Sequence, residues 1–181
     1  MHSSPPLPTL SAQEHIERLL STVPDFPTPG ILFRDLTPVF ANPTAFRAIT
    51  DELAERFAGF LDVVAGVEAR GFLLAASVGY VASAGVVPIR KAGKLPGEVL
   101  SQSYDLEYGS AELEMHPAAY PGQRMLLLDD VLATGGTLAA SIALAERAGY
   151  IVVGVAVVLE LESLDGRAML DGREIVSLMT I

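Results

Sequence analysis

The chain has 181 residues, half of them hydrophobic, and a net charge of −10. That is enough chain to bury a sizeable core, and the acidic balance argues against a general nucleic-acid binder. With no cysteine there is no disulfide, thiol nucleophile or thiolate metal site.

Residues 1–10 read as a mobile tail, rich in proline and serine rather than apolar, with no signal-peptide character. No apolar run reaches membrane-spanning length, so a cytoplasmic setting, away from membranes and nucleic acid, is expected. Ser11 and Glu14 have capping-box spacing and predict a helix to about Ser21, with His15 on its surface. Val23 to Phe40 carries four prolines and one glycine among its aromatics. It predicts an extended loop, folded either over a ligand or onto its own core. Asn42-Pro43 starts a second helix to about Phe57.

Asp62 to Val67 is the first predicted parallel strand. Glu68-Ala69-Arg70-Gly71 follows, then a helix over Phe72 to Ala84, a plan that suits an anion at the helix start. The other reading of Arg70 on its own is a surface salt bridge. Val86 to Ile89 is a short strand, after which Arg90, Lys91 and Lys94 place three of the chain's 12 basic residues within five positions. Glu98 to Met115 reads as a hairpin arm around Gly109, in which Glu107 by periodicity is a polar residue on an exposed strand.

The stretch Arg124 to Ala148 organises the chain. Met125 to Leu128 is a continuous apolar run suited to a central parallel strand that should stop at Asp129-Asp130. Val131 to Thr137 is a loop of small and hydroxyl residues, and Leu138 to Ala148 a helix closed by Gly149. Glycines Gly135 and Gly136, hydroxyls of Thr134 and Thr137, and a helix start together make a phosphate cradle. The other reading is an ordinary strand-to-helix turn. No lysine follows the glycines, so it is not a Walker loop, and the spacing is not a dinucleotide fingerprint. Two carboxylates beside a phosphate repel it unless a diol or a metal separates them. Ile151 to Leu159 is a further buried strand, Asp165 to Leu170 a short helix, and Glu174 to Met179 an edge strand. The alternation predicts an α/β fold with a doubly wound, mostly parallel sheet, as one domain over 11–181 with an excursion at about 93–115.

LLLDDVLATGGT resembles the 5-phosphoribosyl-pyrophosphate (PRPP) loop of type I phosphoribosyltransferases. Five segments in order, from about Pro24 to Leu178, resemble the adenine-specific branch of that family. They include FPTPGILFRDLTPV, IRKAGKLPG and YDLEYG. The resemblance implies transfer of phosphoribose from PRPP to adenine by a homodimer, with magnesium carried by PRPP rather than by a protein cage. It implies that Asp129 and Asp130 hold the ribose and that Ala133, Thr134, Gly135, Gly136 and Thr137 grip the 5-phosphate. Ala69, Arg70, Arg90, Lys91 and Lys94 would meet pyrophosphate. Phe33 would stack on adenine, the backbone of Leu32 and Arg34 would read its edge, and Leu161 would close one face. The hairpin would be a flexible hood, with Glu107 as its catalytic residue. Enzymes for oxopurines usually carry an Asp where this chain has Ala133, so the proton-transfer group must lie elsewhere. The alternatives are a phosphoribosyltransferase for another base, or a non-catalytic PRPP-binding regulator.

Overall fold

The computed structural model describes residues 10–106, 109–170 and 172–181. Its contacts divide the chain into two units, Met1–Ile49 and Thr50–Ile181.

In the first unit, α1 (Ala12–Leu19) begins at a full capping box: Glu14 N donates to Ser11 Oγ at 3.2 Å, and Ser11 N to Glu14 Oε2 at 2.8 Å. The helix ends before Ser21, and His15 is buried rather than on the surface. The proline-rich stretch is not a plain loop. β1 (Ser21–Pro24) pairs antiparallel with β2 (Leu32–Asp35), and α2 (Thr37–Ala41) follows with proline in its first turn. Asp25 makes the connection possible, with φ of 56° and its Oδ1 accepting from Gly30 N at 2.7 Å. Helix α3 (Pro43–Arg56) starts where Asn42 Oδ1 accepts from Thr44 N and Ala45 N, and it continues into the second unit.

The second unit is built on a seven-stranded sheet in the order β5-β6-β4-β3-β7-β8-β9. The strands are β3 (Val63–Val67), β4 (Gly85–Lys91), β5 (Leu100–Leu106), β6 (Gly109–Met115), β7 (Arg124–Leu132), β8 (Ile151–Glu160) and β9 (Ile175–Thr180). β4, β3, β7, β8 and β9 are parallel; beyond β4, β6 runs antiparallel to β4 and β5 antiparallel to β6, and β9 is the far edge as expected. β3 and the first half of β7 are buried on both faces, which is why they read as unbroken apolar runs. Leu126, Leu127 and Leu128 are fully buried, each contributing about 2 kcal/mol.

Helix α5 (Gly136–Arg147) covers one face through Leu138, Ile142 and Ala145 against Leu127, Val155 and Val157. Helix α4 (Gly71–Ala82) packs on β3 and β7. Gly154 leaves room for the Phe57 ring: a Cβ there would stand 2.6 Å from Phe57 Cε1. At the amino-terminal rim, Asp62 accepts from Arg124 N at 2.8 Å and from its guanidinium at 2.9 Å, and these bonds hold its carboxyl down to about 2.

β7 does not stop at the acid pair. β3 pairs with it only as far as Leu128, but β8 pairs with it through Asp129, Val131 and Leu132. The strand therefore outruns its neighbour on one side, and the two aspartates fall on the stretch that β3 leaves open.

Candidate active site

The carboxyl ends of β3, β4 and β7 bring three of the expected segments to one rim. After β7, the loop to α5 encloses a small cavity of about 70 Å³, lined by Asp129 and by Ala133 through Thr137 among others. Gly135 sits at the helix N-cap with φ of 85°, a conformation that suits glycine. The first turn of α5 leaves its N–H groups without intrahelical acceptors, and the helix dipole favours an anion there. Thr134 is exposed beside it.

The loop is held from behind by a neighbour the sequence did not single out. A Cβ on Gly166 would collide with the Ala133 carbonyl oxygen, and one on Gly135 with the Gly166 carbonyl oxygen. The short 3₁₀ segment Gly166–Leu170 is itself bolted down by Arg167. Its Nε donates to Glu160 Oε1 at 2.6 Å and its NH2 to Glu160 Oε2 at 2.7 Å, while Ser177 Oγ also donates to Glu160 Oε2. These bonds hold the buried Glu160 carboxyl below its usual range, the Arg167 contact most of all. Leu161 follows, half-buried, its N–H donating to Leu132 O at 2.9 Å.

The acid pair is asymmetric. Burial, then the charge of Asp130, push Asp129 well above the usual carboxylate range. Asp130 N donates to Asp129 Oδ1 at 2.9 Å. Asp130 Oδ2 is buried and takes no hydrogen bond, but Arg70 Nε stands 2.7 Å away. Arg70 lies at the start of α4, so β3–α4 meets β7 here. The approach needs glycine twice: a Cβ on Gly71 would lie 2.6 Å from Leu128 O, and one on Gly66 would strike the Gly71 carbonyl. The Glu68–Ala69 peptide is cis, and Ala69 is exposed.

The basic turn after β4 stands on the same rim. Glu68 Oε2 accepts from Lys91 N at 3.0 Å, and Oε1 from Lys94 Nζ at 2.6 Å. Arg90 Nε lies 3.5 Å from Glu68, and Arg90 NH1 donates to Lys94 O at 3.1 Å. Sequence reasoning assigned Arg90, Lys91 and Lys94 to a ligand and gave Glu68 no role. The only signal was its place at the end of a strand flanking the turn.

Glu107 lies outside the described residues. In the first unit, Leu32 is exposed, Phe33 is half-buried with its ring edge-on to Phe26 at 5.1 Å, and Arg34 NH1 donates to Thr22 Oγ1 at 2.8 Å. A larger groove of about 480 Å³, lined by Phe57, Gly59, Leu61 and Val81 among others, contains no basic residue. Among the described residues, no group of three His, Asp or Glu side chains forms a metal cage, and no helix is long and apolar enough to cross a membrane.

A phosphoribosyl transferase domain model matches residues 37–172. The adenine phosphoribosyltransferase of Clavibacter michiganensis is 57% identical over 97% of this chain and all of its own length. That of Renibacterium salmoninarum is 58% identical over 96% of each. The chain belongs to the adenine phosphoribosyltransferase family. The crystal structure of the family member from Thermoanaerobacter pseudethanolicus superposes with a TM-score of 0.89 at 46% identity, covering 93% of this chain and 99% of that one. The Saccharomyces cerevisiae enzyme, complexed with an imino-altritol bisphosphate and adenine, superposes at 0.87 with 37% identity, covering 93% and 98%. The expected doubly wound fold and the family assignment are both borne out.

Proposed function

We propose that the chain transfers the 5-phosphoribosyl group of PRPP to adenine, giving AMP and pyrophosphate. The observation that carries this reading is the rim itself: a glycine loop and an acid pair on β7 and a basic turn after β4, with Arg70 of the intervening β3–α4 connection between them, in a chain more than half identical to adenine phosphoribosyltransferases.

The bond from the anomeric carbon to the pyrophosphate oxygen breaks, and its electron pair leaves with pyrophosphate. N9 of adenine forms the new bond to that carbon and gives up its proton. The cradle from Ala133 to Thr137 fixes the 5-phosphate, so the sugar is positioned before reaction. Asp129 and Asp130 hold the ribose hydroxyls, and the Asp130 carboxylate sits well beside a sugar that becomes cationic. Ala69, Arg70, Arg90, Lys91 and Lys94 take up the negative charge that grows on the leaving group. The carboxylate oxygens of the acid pair are hard donors, suited to a magnesium ion that keeps phosphate and water ligands. Bound with PRPP, magnesium supplies further neutralisation of the pyrophosphate.

Phe33 stacks on the base, backbone groups of Leu32 and Arg34 read its amino-bearing edge, and Leu161 closes one face. Glu107 accepts the N9 proton, the task Ala133 cannot perform. We propose a cytoplasmic enzyme that works as a homodimer, the dimer being supported by exposed Leu73, Tyr80 and Val81 on α4.

The test is AMP formation with PRPP and magnesium, run with adenine, hypoxanthine and guanine in parallel. Turnover confined to adenine is expected. Turnover of an oxopurine overturns the base assignment, and PRPP binding without any turnover favours the regulator.

A further inference from the structure

We propose that Glu68 is a positioning residue that stands in for pyrophosphate on the basic turn, holding Lys94 and Arg90 in place until the polyanion displaces it. The proposal rests on the reading that this turn meets pyrophosphate.

Four observations lead to it. Glu68 N donates to Ile89 O at 2.9 Å, so the parallel pairing of β3 with β4 delivers the carboxylate directly beneath the turn. That carboxylate is only 10% exposed and contacts the turn three times: the Lys91 N–H, the Lys94 ammonium and the Arg90 guanidinium. The Lys94 side chain is 46% exposed, so it is engaged on one side and open on the other. Finally, a lysine ammonium has three donors, and Glu68 engages Lys94 through a single oxygen.

An intramolecular anion of this kind does two things. It fixes flexible cations, so that less ordering remains to be done on binding. It also competes with the incoming anion, because each pair of like charges a few ångströms apart weakens binding by about threefold even at water-like screening. The Lys91 N–H bond is to backbone, so Glu68 keeps one anchor when Lys94 turns to pyrophosphate. A leaving group held by cations that have a built-in alternative partner departs more readily.

The variant Glu68→Gln removes the charge and leaves one acceptor oxygen, enough for Lys91 N or Lys94 Nζ but not for both. Pyrophosphate binding, measured by calorimetry and as product inhibition, is expected to tighten by at least about threefold, while the KM for adenine stays unchanged. Unchanged or weaker pyrophosphate binding overturns the proposal, because a merely structural glutamate predicts that result. A second measurement needs no variant. In the wild-type protein the Glu68 carboxylate carbon resonance is expected to move on addition of pyrophosphate and not of adenine, and a static signal overturns the proposal. Lys94→Met separates the two readings. If the wild type binds no pyrophosphate, the assignment of the turn fails and the Glu68 proposal with it. If the wild type binds it, Lys94→Met weakens it and Glu68→Gln leaves it unchanged, only the Glu68 proposal fails.

Discussion

Arg70 Nε stands 2.7 Å from Asp130 Oδ2, so the residue at the head of α4 and the second acid of β7 neutralise one another across two parallel strands. Asp130 is 10% exposed and Arg70 34%, which makes this a half-buried pair. Removing one partner leaves an uncompensated charge in a site already crowded by Asp129. Arg70→Met is expected to lower stability by about 2 kcal/mol and to raise the KM for PRPP. Thermal unfolding with and without PRPP checks both effects, and an unchanged melting temperature contradicts the pairing.

Gly166 packs behind the loop from Ala133 to Thr137. In Gly166→Ala the new methyl would overlap the Ala133 carbonyl oxygen and stand 2.8 Å from Leu132 Cδ1, so the loop backbone must shift. A loss of about 1–3 kcal/mol in stability is expected, with a rise of about tenfold in the KM for PRPP. Steady-state kinetics that match the wild type would show that the cradle does not depend on this seat.

The Glu160–Arg167 pair gives a pH-dependent prediction. The folded-state pKa of Glu160 is depressed, so the pair's contribution is present above the ordinary glutamate range and is lost as pH falls through the folded value. Arg167→Met is expected to cost about 2 kcal/mol at pH 7, discounted for the exposure of the arginine. The gap in melting temperature between the two proteins is expected to narrow from about pH 5 downward. A gap independent of pH means that packing, not charge, accounts for the loss.

Glu107 has its own test. Glu107→Ala is expected to reduce kcat by about 10²- to 10⁴-fold with little change in the KM for PRPP, the pattern of a lost proton acceptor. Full turnover in this variant sinks the assignment.

The parallel strands were legible because a strand buried on both faces has no polar alternation to hide it, as Val63 to Val67 and Met125 to Leu128 illustrate. The glycine loop between β7 and α5 was legible for the opposite reason, since its glycines and hydroxyls are local in sequence. The β1–β2 hairpin was not legible. Its prolines argue against regular structure, and the side-chain turn at Asp25 that overrides them is a matter of φ, not composition. His15 illustrates a similar limit: a polar ring beside Ile16 reads as surface until packing buries it. The contacts of Glu68 were out of reach because its partners lie 23 and 26 residues away, at the end of a neighbouring strand and on the turn after it, an adjacency only the fold creates.

Arg147 closes the last turn of α5 and donates to Ser101 O at 2.9 Å and Gln102 Oε1 at 2.8 Å, near the start of β5. From that fastening, α5 runs back about 16 Å to Gly136, at 1.5 Å per residue. β5 runs about 17 Å from Ser101 to Leu106, at 3.4 Å per residue. It is oriented like β4, and thus opposite to the helix beside it. Through Glu114 the register puts Ser101 level with Arg90, so the rest of β5 reaches past the carboxyl end of β4. Arg147 thus ties the last turn of α5 to the root of the arm, and losing it would free that root while every strand pairing of the sheet stays intact.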